Sequence, residues 1–263
     1  MKNLEHCYRD IKLWKMAKKL KLNDEKTEVL LRGPSSLQKA ALVEHILVGE
    51  SQIDLSASVR DLGLVIDANL DMTAHISCVI KSCYCHLRSL GKLRLFVTQD
   101  AANNTAVSLM SRLDSCNSTL WGLPSNQLIR LQKIHKTAVR IVTRTKSRDH
   151  ITPVLRSLHW LPVSKRTEYK IPCLTYQCVH KTAPQYLQEL VSAYTPPRSL
   201  RSSSLYRFSV SGFGENTNKK HSGARSFYNA ASTLWNRLPD KLHQAKDIAS
   251  FWRQLKSHLF ATL

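Results

Sequence analysis

The sequence predicts an α+β chain that is mainly α: an N-terminal helix with a small antiparallel β-hairpin, then a helical bundle, then a small helical C-terminal domain with a loose hairpin. Two observations carry this. Apolar residues recur at helical spacing over most of the chain after residue 72, and β-prone runs bounded by turn residues are concentrated before residue 70. The segments group into three expected domains: 1–70, 71–148 and 149–263, the last with a flexible basic loop at about 195–225.

Taken in order, Leu4, Cys7, Ile11, Trp14 and Ala17 share one side of an amphipathic helix expected from Leu4 to Leu20. A turn at Asn23-Asp24, a β-prone run Thr27–Leu31 and a stop at Gly33-Pro34 follow. Further β-prone runs, His45–Val48 and Val59–Ile66, complete the first domain. From Thr73 to Phe96 the residues Ile76, Val79, Ile80, Cys83, Leu87 and Leu90 form an apolar face, with Lys81, Arg88 and Lys92 opposite. A third helix is expected over Gln99–Met110.

Residues 111–124 end in Gly122-Leu123-Pro124, which stops a helix because proline has no amide to donate and restricts the residue before it. Here Asp114 and Asn117 read as capping or turn groups, Arg112 and Asp114 as a local pair, and Trp121 as core. Ser125 reads as the N-cap of the next helix. Its apolar face carries Leu131, Ile134, Ala138, Ile141 and Val142; its other face carries Arg130, Lys133, Lys136, Arg140 and Arg144.

Beyond it, Thr152 is a candidate cap with Pro153 in the first helical position. Leu158–Pro162 (LHWLP) is an apolar knot with Trp160 facing the core. Ser164–His180 is helical, with Pro172 expected to kink it. After the Pro-, Ser- and Arg-rich stretch, with a loose hairpin at Leu205–Val210, two helices close the chain at Phe227–Leu234 and Ile248–Phe260.

Composition narrows the partner. An apolar share of 43% and only 8 Gly and 9 Pro suit a globular chain. The excess of 39 Lys+Arg over 19 Asp+Glu, +20 net, points to a polyanion, since such a surface gains from neutralising phosphates and releasing counterions. The 7 cysteines include no CxxC pair. Cys83, Cys85, His75 and His86 lie inside a helical pattern rather than on the turns that structural zinc sites use, so no metal site is expected and the thiols are read as reduced and mostly buried. The start MKNLEHCYRDIKLW is too charged for a signal peptide and no run approaches a membrane span, so an intracellular place, nucleus or cytoplasm, and no membrane partner are expected.

Several phrases, in order, resemble a family. Trp14, then Leu22-Asn23-Asp24-Glu25-Lys26-Thr27-Glu28, then Arg60-Asp61-Leu62-Gly63-Leu64-Val65-Ile66-Asp67 are similar to the end of the palm in reverse transcriptases of non-LTR (LINE-type, jockey-like) retrotransposons, with Leu64 where valine is usual. SRLDSCNSTLWGLP before the basic helix, LHWLPVSKR, and GARSFYNAASTLWNRLP followed by SFWRQLKSHLF are similar to the region beyond, so the likeness runs from about Leu4 to Phe260.

The resemblance implies a palm remnant, a thumb-like bundle and a C-terminal domain. It implies that Lys26 matches the palm-motif lysine near the incoming nucleotide's phosphates, and that Gly63 falls in the hairpin that grips the primer. The two basic stripes then hold RNA or DNA without sequence preference, and the other polymerase half is a second partner. Nucleotide transfer in the intact enzyme uses Mg²⁺ on an aromatic-Ala-Asp-Asp motif. No Asp-Asp occurs in this sequence. The catalytic aspartates are therefore expected upstream of Met1, this chain is expected to bind no cofactor and to be inactive by itself, and residual nucleic-acid binding is the expected function. The alternative is a domesticated helical protein-interaction module, using apolar surface at Trp14, Val29, Leu31 and Val65 that the other half once covered.

Overall fold

The computed structural model describes residues 2–21, 23, 26–32, 45–48, 51–194, 207–209 and 222–262. The fold is α+β and mainly helical. It forms two compact units, Met1–His75 and Ile76–Leu263. The second unit holds the segments expected as a thumb-like bundle and a C-terminal domain.

In the first unit, α1 (Lys2–Ala17) precedes two antiparallel hairpins. Strands β1 (His45–Val48) and β2 (Ser51–Asp54) pair with Ile46 opposite Ile53, and β3 (Ser58–Asp61) and β4 (Leu64–Asp67) pair with Val59 opposite Ile66. The second hairpin covers the expected run Val59–Ile66 and extends one residue beyond it at each end; β2 was not anticipated, because SQID has little apolar character. Thr27–Leu31 does not form a strand. Val29 makes a single parallel bridge to Leu55, and Ser56 N donates to Val29 O at 2.8 Å. Gly33 and Pro34, the expected stop, lie outside the described residues.

A small core joins these pieces: Ile46 and Ile53 pack with Tyr8, Val29 and Leu55. Among the described side chains the helix touches it through Tyr8, which is not part of the expected stripe. Cys7, Ile11, Trp14 and Ala17 all stay exposed, Trp14 at 60%. Helical spacing groups the apolar residues correctly, but the core available in this unit is only a few side chains wide.

The β3–β4 turn puts two residues at positive φ, Leu62 at 46° and Gly63 at 87°. Two-residue hairpins need this backbone to match the strand twist, and glycine adopts it without cost. Leucine does not, and Leu62 is 93% exposed, so no packing offsets the strain.

In the second unit, α2 (Thr73–Leu93), α3 (Gln99–Asp114) and α4 (Ser125–Thr143) form one group. The first residues of α2 fall within the first unit's bounds. Ile76, Cys83, Leu87 and Leu90 are buried along α2, as are Leu131, Ile134, Ala138, Val139 and Val142 along α4. Thr98 caps α3 by accepting from Ala101 N at 3.3 Å. Ser125 is not a cap: it is the first helical residue, the N-cap position is Pro124, and no side chain caps the end. A proline there already has the extended backbone that stops the helix, and it lacks an amide that would need a partner.

A second group consists of α5 (Ile151–Ser157), α6 (Val163–Val179), α7 (Gln185–Gln188), α8 (Phe227–Asn236), α9 (Asp240–His243) and α10 (Ile248–Ala261). His150, not Thr152, takes the N-cap position of α5, again without a side-chain cap. Pro153 therefore sits third, still in the turn whose amides have no helical partner. Pro172 lies buried inside a helix that runs unbroken from Val163 to Val179. Trp235 and Phe251 anchor the core with Tyr176, Leu255 and Leu259. Tyr176 stacks on Phe251 at 4.5 Å and donates its hydroxyl to Ala245 O at 2.9 Å.

The expected hairpin at Leu205–Val210 is only partly described, and the described part pairs elsewhere. Phe208 bridges antiparallel to Ala193, and the Asn236 amide clamps the Phe208 backbone through N and O at 3.0 and 2.9 Å. Phe208 is 4% exposed, so residues 207–209 are anchored in the core rather than part of a loose basic loop. The rest of the expected loop, 195–206 and 210–221, lies outside the described residues.

Replacing Leu62 with Asn, which tolerates positive φ, should stabilise the β3–β4 hairpin by about 1 kcal/mol. Slower amide hydrogen exchange at Val59 and Ile66 in L62N would show it; unchanged exchange would mean that the turn carries no strain.

Candidate nucleic-acid interface

Neither α2 nor α4 contains an acidic residue. At about 100° per residue, Ser77, Lys81, Arg88 and Lys92 fall within about 60° of one another around α2. On α4, Arg130, Lys133 and Arg140 fall within about 80°, with Lys136 one step to the side and Arg144 just past the helix end. Arg130 Nη2 donates to Ser77 Oγ at 3.1 Å, so the α4 stripe borders the α2 stripe. Further along, a Cβ on Gly91 would lie 3.9 Å from Ile141. The two helices run side by side and in the same direction.

The cations are not equivalent. Lys81, Arg88, Lys92, Lys133 and Lys136 are exposed and make no side-chain hydrogen bond or ion pair among the described residues. Arg130 is half-buried and also holds Gln127 Oε1 at 2.8 Å. Arg140 folds back on the chain after α4, donating to the carbonyls of Lys146, Ser147 and Asp149 at 3.4, 3.0 and 3.3 Å. Arg144, at φ 56° just past the helix, donates to Arg94 O at 3.0 Å. Three of the expected phosphate ligands thus also hold the fold, because the helical pattern shows which side a residue takes but not which carbonyl lies within its reach.

Arg94 escaped the sequence reading altogether. It is 7% exposed, and its guanidinium donates to Ile141 O at 3.1 Å, to Val142 O at 3.0 and 2.8 Å, and to Val97 O at 3.1 Å. The last carbonyls of α4 have no helical partner and carry the negative end of the helix dipole, so a buried arginine is held there without a carboxylate. With the Arg144 bond, Arg94 ties the end of α2 to the end of α4.

A second feature emerges beside this surface. Arg166 of α6 donates Nε to Leu161 O at 2.8 Å, Nη1 to Asp114 Oδ2 at 2.6 Å and Nη2 to His135 Nε2 at 3.2 Å. His135 is fully buried and stacks on Trp160 at 5.7 Å. Because arginine can only donate, Nε2 accepts and the ring proton is assigned to Nδ1, so the 3.4 Å approach of Gln132 Nε2 to Nδ1 is a contact between two donors and not a second hydrogen bond. Burial, then the nearby Arg166 charge, lowers the His135 pKa to about 3. Gln132 Oε1 meanwhile accepts from Val163 N at 2.8 Å. Asp114 also accepts from Asn117 Nδ2 at 3.4 Å, whereas Arg112 reaches Ser82 Oγ at 2.7 Å, so the expected Arg112–Asp114 pair does not form. Trp160 is core as expected, and Trp121 is half-buried against Ala230, Ala231 and Leu234.

In the first unit, Lys26 is exposed beside a turn closed by its own amide on Asn23 O at 3.1 Å. Gly63 sits at the hairpin tip, and a Cβ there would meet nothing within 4 Å. Val65 N donates to His75 Nδ1 at 3.4 Å, and burial, then the Arg60 charge, lowers the His75 pKa.

Cys83 is buried and Cys85 exposed, since residues two apart point about 200° from one another around a helix, and no three His, Cys, Asp or Glu side chains gather among the described residues. The thiols are not mostly buried: Cys83, Cys173 and Cys178 are, while Cys7, Cys78 and Cys85 are exposed. Burial pushes the Cys173 thiol up to about 12. Among the described residues no helix is long and apolar enough to cross a membrane.

Two outcomes follow. Arg94→Ala should cost about 3 kcal/mol in urea unfolding, since it strands buried carbonyls, whereas Arg88→Ala on the open face should change stability little. His135 binds its proton more weakly when folded than when unfolded, so its contribution is intact above pH 6.5 and is lost as pH falls from there toward 3. The loss should be on the order of 1 kcal/mol per pH unit in that window, and His135→Gln should flatten the profile if this ring is its source. Comparison with family models, with curated proteins and with solved structures returns no match.

Proposed function

We propose that the chain derives from the end of the palm, the thumb and the C-terminal domain of a LINE-type reverse transcriptase, and that it binds RNA or DNA duplex through the phosphates without sequence preference. The carrying observation is the pair of bordering, acid-free helix faces, on which Lys81, Arg88, Lys92, Lys133 and Lys136 have no partner among the described residues. A chain of +20 net charge gives such a surface a long electrostatic reach. The ordered phrases from Leu4 to Phe260 supply the ancestry.

Polymerisation is not proposed for this chain. Two-metal transfer needs clustered carboxylates, and the residues present do not fit Mg²⁺: the sequence has no Asp-Asp, and no carboxylate-rich group gathers among the described residues.

A second reading rests on α1. Ile11, Leu13, Trp14 and Met16 are exposed at 45, 59, 60 and 62%, which suits a helix that docks on a protein partner such as the polymerase half. Of the other residues expected on that surface, Leu31 is exposed at 37%, while Val29 and Val65 are half-buried.

Titrating the chain with an RNA–DNA duplex of random sequence separates the readings. With the five unpartnered cations engaged, affinity should fall roughly 10²- to 10³-fold between 50 and 200 mM salt. Changing Lys81, Arg88, Lys92, Lys133 and Lys136 to Gln should remove most of that slope while leaving the thermal midpoint near wild type. Salt-independent or absent binding would overturn the nucleic-acid reading, and a stoichiometric protein complex that survives nuclease would favour the second.

A further inference from the structure

A groove of about 480 Å³ lies between α9 and α10, and no residue of α2 or α4 lines it. Lys241 of α9 and Arg253 and His258 of α10 do, and none of the three makes a side-chain hydrogen bond, ion pair or ring contact among the described residues. Lys241 and Arg253 are exposed and His258 is half-buried, so all three are open to a ligand. No Asp or Glu lines the groove among the described residues. The carboxylates nearest in sequence are engaged elsewhere: Asp240 lies 3.9 Å from Arg207 Nη2, and Asp247 caps α10 by accepting from Ser250 N at 2.8 Å.

Helical spacing sets Ser250, Arg253, Gln254 and His258 on one side of α10, and all four line the groove. Gln254 Nε2 donates to Ser250 Oγ at 2.9 Å, which leaves the serine its own proton to donate. The groove therefore presents two permanent positive charges, a ring N–H and a hydroxyl, with no carboxylate to neutralise them. Like charges brought together repel, and a bound anion reverses the sign of that interaction.

These groups select among anions. A carboxylate brings one charge, and so does a phosphodiester inside a strand; either leaves one of the two cations unmatched. A phosphate monoester brings close to two charges and three acceptor oxygens. The guanidinium fork of Arg253 suits two of those oxygens, and Lys241 acts as a point charge beside them. The volume, within the range of small-ligand sites, leaves room for the group that the phosphate esterifies.

We propose that the α9–α10 groove binds a phosphate monoester, held by Arg253 and Lys241 with His258 and Ser250 as further donors. The monoester is either a small phosphorylated molecule or the phosphate at the 5′ end of a nucleic-acid strand, which present the same group. The site does not depend on duplex binding at α2 and α4.

Titrating the full chain with ribose 5-phosphate, ribose and glutarate, followed by calorimetry and by amide NMR shifts, tests this. Ribose 5-phosphate should bind saturably, at least about tenfold more tightly than glutarate, and shift the amides of Lys241, Ser250 and Arg253; ribose should do neither. The Lys241→Gln, Arg253→Gln variant should lose at least about tenfold, whereas the Lys133→Gln, Lys136→Gln variant, which removes the same charge from α4, should change affinity less than about twofold. Both pairs are exposed, so the thermal midpoint should stay near wild type. A short oligothymidylate that binds more tightly with a 5′-phosphate than with a 5′-hydroxyl, the difference vanishing in the Lys241, Arg253 variant, identifies the strand end as the source. Equal binding of the two strands, with ribose 5-phosphate still bound, identifies the small molecule. Ribose 5-phosphate binding no tighter than glutarate, or lost equally in both double variants, overturns the proposal. The Lys133, Lys136 variant should instead weaken duplex binding, so this site and the duplex surface fail separately.

Discussion

The second unit turns on the guanidinium of Arg166. It reaches three separate pieces of chain at once: Asp114 at the end of α3, His135 in the middle of α4, and the Leu161 carbonyl just before its own helix. Burying an arginine is unfavourable unless its donors are met, and here each direction of the planar fork has an acceptor. Arg166 can hold His135 only while that ring is neutral. The same contact that orients α6 against α4 therefore commits His135 to its unprotonated form, and burial adds to that commitment. Trp160, stacked on His135, positions the LHWLP knot, and Leu161 carries that order into the core around Trp235 and Phe251.

Arg94 plays a comparable part at the other end of the bundle, with a different acceptor. Its partners are backbone carbonyls at the end of α4, so one cation closes one helix and ties a second to it. The buried Arg94 and the half-buried Arg166 show how a strongly basic protein can hold its helices with few carboxylates: Arg166 uses only one, Asp114, and Arg94 uses none. Carbonyl groups and a neutral histidine accept the hydrogen bonds that carboxylates would otherwise take. Lys81, Arg88, Lys92, Lys133 and Lys136 are left exposed, where their mutual repulsion is relieved by solvent or by an anionic partner.

This division shapes the functional reading. Lys81, Arg88, Lys92, Lys133 and Lys136 lie along two helices that the Arg94–Arg144 bonds keep in register, so the charges sit on a stiff frame rather than on loops. Phosphate contacts made from a rigid frame suit a duplex of regular geometry and carry no sequence information.

The sequence by itself determined the fold class and most helices. The 3.6-residue period fixed which side of α2 and α4 is buried, and the predicted faces at Ile76, Cys83 and Leu87 and at Leu131, Ile134 and Ala138 are indeed inside. Helix spacing also placed the two basic stripes. It did not separate the structural arginines from the open lysines, since Arg140 and Arg144 match Lys133 in pattern and differ only in the carbonyls near them. Nor did it find Arg94, His135 or Arg166, whose partners on other helices lie 31 to 52 residues away in the chain. Such pairings leave no periodic trace, because a single hydrogen bond between distant residues fixes neither spacing nor composition. The α1 stripe shows the converse: a sound amphipathic pattern whose apolar side stays in solvent, because periodicity states what a helix can bury and only the surrounding structure decides whether anything is there to bury it.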